Sequence, residues 1–181
     1  MNTQSVKYPL GKYNPAGITK VWWAWAEDFL SFPVLPDTET ATDMETLAKY
    51  VAAAVMKAGK KLEELYCTIE EGEIKTEMDG PRDGKGFKNS LEISFPGNTA
   101  LMLGFQAAAA NRPLIFFVKE KNGVIRVLGT NEDPAYFDAN ASTSGKKISD
   151  GRASVMTFSN TAATPAPIYT LPMAALLTVA A

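Results

Sequence analysis

Between Leu62 and Phe95, apolar and polar residues exchange places at every second position, and this alternation constrains the chain more than any other feature. Leu65, Cys67 and Ile69 alternate with Glu64, Tyr66, Thr68 and Glu70, and beyond Gly72 the residues Ile74, Thr76 and Met78 alternate with Glu73, Lys75, Glu77 and Asp79. Successive side chains of a β-strand point to opposite faces, so each run predicts a half-buried strand with one polar face. The stretch from Gly80 through Pro81, Arg82, Asp83, Gly84 and Lys85 to Gly86 breaks the pattern as a flexible loop. Ser90 to Phe95 then resumes it with Leu91, Ile93 and Phe95 inward, which predicts a long hairpin.

Other segments carry the same signal. From Ile18, alternation places Val21, Trp23 and Trp25 on one strand face, where packing in a core is the expected role of the large rings. Residues 28 to 42, with Pro33 and Pro36, predict a loop. Leu114 to Val118 is a continuous apolar run, and Lys121-Asn122-Gly123-Val124 contains the Asn-Gly pair of a two-residue type I′ turn, with Ile125 to Gly129 as the returning strand. A loop through Pro134 and a polar stretch at 142 to 147 precede a strand from Ala153 to Ser159, in which Val155 lies on the face opposite Met156 and Phe158. One helix stands out: Asn98 or Thr99 can cap it, Leu101, Phe105 and Ala108 recur at helical spacing, and Pro113 stops it.

Residues 43 to 56 are ambiguous. Thr42 with Glu45 resembles a capping box, and Met44, Leu47, Val51 and Val55 suit a helix. The same text, followed by Lys57-Ala58-Gly59-Lys60-Lys61 and the strand-like Leu62 to Ile69, suits a hairpin equally. Short strands between turns, with one helix, predict a mainly β chain built as an antiparallel sandwich or barrel.

The 181 residues suit one domain with arms, at 46% hydrophobic and 21% charged. The expected division is an extended arm over 1–16, a β-domain over 17–171 and an apolar extension over 172–181. That extension is about half the ~20 residues that span a bilayer, and no apolar stretch follows the N-terminal lysines, so synthesis in the cytoplasm with no membrane span is expected. The formal charge of −2 gives no basic field to recruit nucleic acid.

Composition also narrows the chemistry. There is no histidine and one cysteine, Cys67, which removes imidazole-based triads, His-ligated metals and internal disulfides. The acidic residues at 70–79 alternate with Lys75 and read as a solvated strand face rather than an acid/base pair. Cys67 falls on the apolar face with Leu65 and Ile69, as a buried inert thiol does. The loop 80–86 lacks the phosphate-cradling Gly-x-x-x-x-Gly-Lys-Ser/Thr pattern, and Glu77, Asp79 and Asp83 lack calcium-loop spacing. No enzyme, cofactor or metal signature is expected.

The order of the segments is itself informative. Ala16-Gly17-Ile18 opens a strand ending in Trp25-Ala26-Glu27-Asp28; the Lys57 to Lys61 turn precedes Leu65-Tyr66-Cys67-Thr68; an acidic strand runs into Gly80-x-x-Asp83-Gly84. Phe95-Pro96-Gly97-Asn98, Asn122-Gly123-x-x-Arg126-Val127-Leu128-Gly129, Thr143-Ser144-Gly145-Lys146, Asp150 and Ala166-Pro167-Ile168-Tyr169-Thr170 follow. Over about residues 16–170 this order resembles the major tail tube proteins of long-tailed bacteriophages. The chain departs from that pattern in having Thr-Ser-Gly where Thr-Gly is usual and in continuing past Tyr169-Thr170.

The resemblance implies an antiparallel β-sandwich, or partial barrel, flanked by one α-helix. It further implies six copies closing into a ring whose inner sheets join as a 24-stranded barrel, and rings stacking around a channel for viral DNA. Its partners would be further copies of the chain and the tape measure, terminator and distal tail proteins, in a virion tail assembled in the host cytoplasm. It also implies that the ambiguous segment is a strand over about Tyr50 to Met56. A channel wall should not hold DNA, so Glu64, Glu70, Glu73, Glu77 and Glu92 are expected to line an acidic lumen. Pro81, Arg82, Asp83 and Lys85 are expected in an inter-subunit or inter-ring loop, alongside the arm, the loop 28–42 and the C-terminal extension. Two alternatives remain: a tail terminator or injection-device tube relative, and, of another class, a ligand-binding β-barrel with Trp22, Trp23 and Trp25 around its cavity.

Overall fold

A computed structural model of the chain describes residues 4–148 and 151–179. Asp150, the first three residues of the arm and the last two of the C-terminal extension therefore lie outside the described residues. Strands make up 40% and helices 12%, so the fold is a β-rich α+β fold. The strands are β1 (Ile18–Trp25), β2 (Phe29–Ser31), β3 (Lys49–Tyr50), β4 (Val55–Met56), β5 (Glu63–Leu65) and β6 (Gly72–Asp79). After these come β7 (Gly86–Pro96), α1 (Ala100–Ala109), β8 (Leu114–Glu120), β9 (Ile125–Leu128), β10 (Tyr136–Thr143), β11 (Ala153–Ala162), β12 (Ile168–Tyr169) and α2 (Ala174–Leu177).

Two sheets organise the molecule, a six-stranded one in the order β3-β12-β9-β8-β1-β5 and a four-stranded one in the order β10-β11-β7-β6. They face each other across one core: Val21, Leu114, Phe116, Val118 and Leu128 from the first meet Leu91, Ile93, Met156 and Phe158 from the second. Phe116 lies against Phe158 with ring centroids 4.6 Å apart. The back of the six-stranded sheet is buried as well. Trp22, Ala24, Ile115, Phe117 and Val127 pack there under Phe29, Tyr50, Met56, Leu62, Tyr169 and Leu176. Burial on both faces explains the unbroken Leu-Ile-Phe-Phe-Val run of β8, since a strand covered on both sides has no polar face to display. It likewise explains why Trp22 and Trp23 are adjacent in sequence yet belong to different cores.

Several local expectations are corrected by these contacts. The stretch from Tyr50 to Met56 is neither one strand nor a helix: β3 pairs in parallel with β12, β4 pairs with β2, and residues 51–54 cross between them. A hairpin with Leu62–Ile69 is absent because β5 pairs with β1 instead. Strand β5 ends at Leu65, and residues 66–71 carry the chain from one sheet to the other, so Ile69 is exposed and Glu70 takes a positive φ of 66°. The loop expected over 28–42 contains β2, and β10, read from sequence as loop, pairs with β11 along its length.

The hairpin joining β8 to β9 is real, but its loop has three residues. Lys119 faces Ile125, Glu120 N–H donates to Val124 O at 2.8 Å, and Gly123 N–H donates to Glu120 O at 2.9 Å. Only Gly123 has positive φ, at 88°, whereas a type I′ turn needs two such residues. Gly129, at φ 89°, is required for a second reason: a Cβ there would stand 2.7 Å from Ala135 N and 2.8 Å from Leu114 O, the pair that bridges the start of β8 to the approach of β10. Thr99 caps α1 by accepting from Met102 N–H at 3.2 Å. The helix buries Met102, Gln106 and Ala109, one position round from the expected stripe, and leaves Leu101 exposed. The C-terminal extension forms a second helix of a single turn, α2, which buries Leu176 in the second core.

Candidate assembly surface

The long hairpin β6–β7 pairs as the alternation requires, from Gly72 opposite Ile93 to Asp79 opposite Gly86. Ile74, facing Leu91, turns to the core. The register puts Glu73, Lys75 and Glu77 on the far side, opposite Glu92, Ser90 and Lys88. Strand β11 continues that outer face with Val155, Thr157, Ser159 and Thr161, paired with Ser94, Glu92, Ser90 and Lys88. Strand β10 adds Ala139 and Ala141. The result is a plane of mostly small and hydroxylated side chains whose β6–β7 part carries Glu73, Glu77, Asp79 and Glu92 against Lys75 and Lys88, four negative charges and two positive.

The five glutamates named from sequence therefore divide. Glu73, Glu77 and Glu92 share this face. Glu64 does not: it lies on β5 of the other sheet, opposite Trp22, where it pairs with Lys20 at 3.4 Å. Glu70 sits in the crossover turn, 3.6 Å from Lys121. Glu73 and Glu92 are directly opposed like charges, and Lys75 relieves them, with its ammonium 2.6 Å from Glu73. Hydrogen bonding and attraction from Glu73, then from Glu92 and Glu77, hold the Lys75 pKa above its ordinary value. The face is acidic, although the alternation that gathers its carboxylates gathers Lys75 and Lys88 with them.

At the tip of the hairpin, Pro81, Arg82, Asp83 and Lys85 are all exposed. The loop is held by Gly84 N–H donating to Pro81 O at 3.1 Å and by the Lys85 ammonium donating to Gly80 O at 2.7 Å. At the other end of the hairpin, an open depression of about 680 Å³ is bordered by Glu70, Glu71, Glu73 and Glu92 with Ser94 and Val155. Cys67 is half-buried, and burial, with Glu71 nearby, raises its thiol pKa against the lowering effect of a backbone hydrogen bond. The tryptophans do not surround a common cavity. Trp22 faces the second core, while Trp23 packs edge-on against Trp25 and Phe105 at 5.0 and 4.8 Å in the first.

The feature that sequence reading missed is the pair of open edges. Strands β6 and β10, eight residues each, end the four-stranded sheet with no neighbour beyond them among the described residues. β10 gave little signal because Asp138, Asn140, Ser142 and Thr143 interrupt its apolar pattern, and only Phe137, stacked on Phe158 at 5.0 Å, anchors it. By contrast, the six-stranded sheet ends in β3 and β5, of two and three residues. Comparison with protein families, curated proteins and solved structures finds no match to this chain.

Proposed function

We propose that this chain is a virion structural protein, not an enzyme, whose copies close into six-membered rings and stack into a phage tail tube that conducts the genome. The observation that carries this reading is the four-stranded sheet, buried on one face and open at two long edges. All its neighbours are antiparallel and their number is even, so β6 and β10 run in opposite directions. Rotating one copy onto the next then lays β10 beside β6 antiparallel, the same contact at every joint, as a closed head-to-tail ring requires. Open edges of this length invite pairing, and closure removes them.

Six copies of four strands make a 24-stranded barrel, as the tail tube resemblance implies. With strands about 4.8 Å apart and tilted about 40°, its backbone diameter is about 48 Å. About 5 Å of side chain on each wall leaves a lumen near ~38 Å, wide enough for duplex DNA. The wall in this reading is the outer face bearing Glu73, Glu77 and Glu92. Small polar groups and a net negative charge give DNA no counterion-release gain, so it slides. The arm before β1 and the exposed loop 80–85 reach between rings and toward the terminator, tape measure and distal tail proteins. Phe32, Leu35 and Leu176 pack within the second core, so the segments 28–42 and 172–181 are partly committed to their own copy.

Electron microscopy of the purified chain at rising concentration tests the reading. Stacked rings with an open channel are expected; a monomer at every concentration would overturn it, and single unstacked rings would point to a terminator. Tubes of the wild-type sequence should release duplex DNA at physiological salt. Tubes carrying Glu73→Lys, Glu77→Lys and Glu92→Lys should retain it in a salt-dependent way.

A further inference from the structure

Helix α1 carries no charged residue and exposes much of an apolar surface: Leu101 is 86% and Leu103 48% exposed, with Ala100, Ala107 and Ala108 open beside them. Its place in the fold indicates what covers it. The Asn140 amide of β10 donates to Gln106 Oε1 at 3.2 Å, and Asn98, just ahead of the helix, accepts from Ser154 at 2.6 Å and donates to Thr143 O at 3.4 Å. The helix therefore lies along the open β10 edge, on the core side of the sheet. Leu103 and Ala110, three residues before and four after Gln106, share the flank that turns toward that edge, whereas Leu101 shares the other flank with Phe105.

The opposite end of the same sheet has a matching deficit. Alternation puts Met78 on the core side of β6 with Ile74, yet Met78 is 63% exposed, because little among the described residues of its own copy covers it. We infer that α1 of one copy packs over the core side of β6 in the next: with the two eight-residue edges paired along their length, Leu103 lies toward Ile74 and Ala110, at the C-terminal end of the helix, toward Met78. The joint between copies then has two layers: strand pairing on the lumen side and helix on sheet behind it. This inference rests on the ring reading, since the joint that sets β10 beside β6 also carries α1 over β6. An uncharged flank facing the uncharged Ile74-Thr76-Met78 side of an edge strand selects a second copy of this chain as the occupant.

Thiol cross-linking of full-length chain separates the possibilities. Ala110→Cys combined with Met78→Cys, treated with a short bifunctional thiol reagent, should give a ladder of linked copies. That ladder should be several-fold stronger than for Leu101→Cys with Met78→Cys, and the wild-type chain, with Cys67 half-buried, serves as the blank. All three substituted positions are exposed, so folding should be kept, which circular dichroism checks. Rings with no such ladder, or with equal ladders from both pairs, would overturn the helix contact and leave the ring reading standing. A ladder from the Ala110 pair without rings would uphold the contact and overturn ring closure. Neither rings nor ladder would overturn both.

Discussion

The two sheets of this molecule share a core and differ in how they end. The six-stranded sheet is covered on both faces at β1 and β8 and tapers to edge strands of two and three residues. The four-stranded sheet is covered on one face and stops abruptly at two strands of eight residues. A sheet that buries both faces and shortens its edges satisfies itself within one chain. A sheet that keeps one polar face and two long edges leaves its backbone hydrogen bonds to be completed by something else. In the ring reading proposed above, stability falls to the first sheet and assembly to the second.

The largest effect that tests this division should come from the doubly covered sheet. Phe117→Ala removes a fully buried ring that stacks on Phe29 and meets Tyr169 edge-on at 5.1 Å. It should cost about 3–5 kcal/mol in denaturant unfolding. Val155→Ala, on the outer face of the open sheet, should cost under about 0.5 kcal/mol, and comparable losses at the two sites would break the comparison.

Alkali should act on the same second core. Burial raises the Tyr50 phenol well above the ordinary tyrosine value. Its neutral form supports the fold in full below about pH 10, and that support is lost as pH rises beyond it, when the unfolded chain ionises and the folded one resists. Thermal unfolding between pH 9 and 12 should show a decline in melting temperature that Tyr50→Phe makes shallower.

A smaller loss should follow at the junction between the sheets. Asn89 is buried mid-strand in β7; its oxygen accepts from Thr76 at 2.7 Å and from Ala166 N–H at 2.8 Å, and its amide donates to Thr164 O at 3.2 Å. It thereby ties the hairpin to the segment that feeds β12. Asn89→Ala strands the Ala166 N–H and should cost about 1–3 kcal/mol in the same unfolding assay. A similarly small effect belongs to the rim of the six-stranded sheet. Lys20 and Glu64 are both about half-exposed, so Lys20→Ala should change stability by under about 1 kcal/mol at low salt and less at high salt.

Much of this was legible in the chain because it depends on near neighbours. The β6–β7 hairpin follows from alternation, the β8–β9 hairpin from an apolar run and Asn122-Gly123, and α1 from Thr99 and Pro113. The burial of Leu91, Ile93, Met156 and Phe158 likewise follows from their period. The site was legible only in part. Glu73, Glu77 and Glu92 fall on one face through the pairing that alternation predicts, while Glu64 and Glu70, on the polar side of the Leu65-Cys67-Ile69 run, are separated from them by the crossover after Leu65. The local trace of that crossover is a phase slip, the apolar positions passing from odd numbers at Leu65, Cys67 and Ile69 to even ones at Ile74 and Met78, but the slip does not say that two sheets are being spanned.

By itself the sequence determined which residues face inward along each continuous strand, since side-chain direction is set by the backbone's own period. It also determined the absence of imidazole chemistry, since no histidine is present. Only the tertiary structure decided that residues 50–56 split between two sheets, that the polar Tyr136–Thr143 becomes a strand, and that α1 buries Met102 rather than Leu101. Each of these depends on a partner dozens of residues away, and a strand of weak propensity or a helix of uniformly apolar sequence takes its state and its facing from what it packs against.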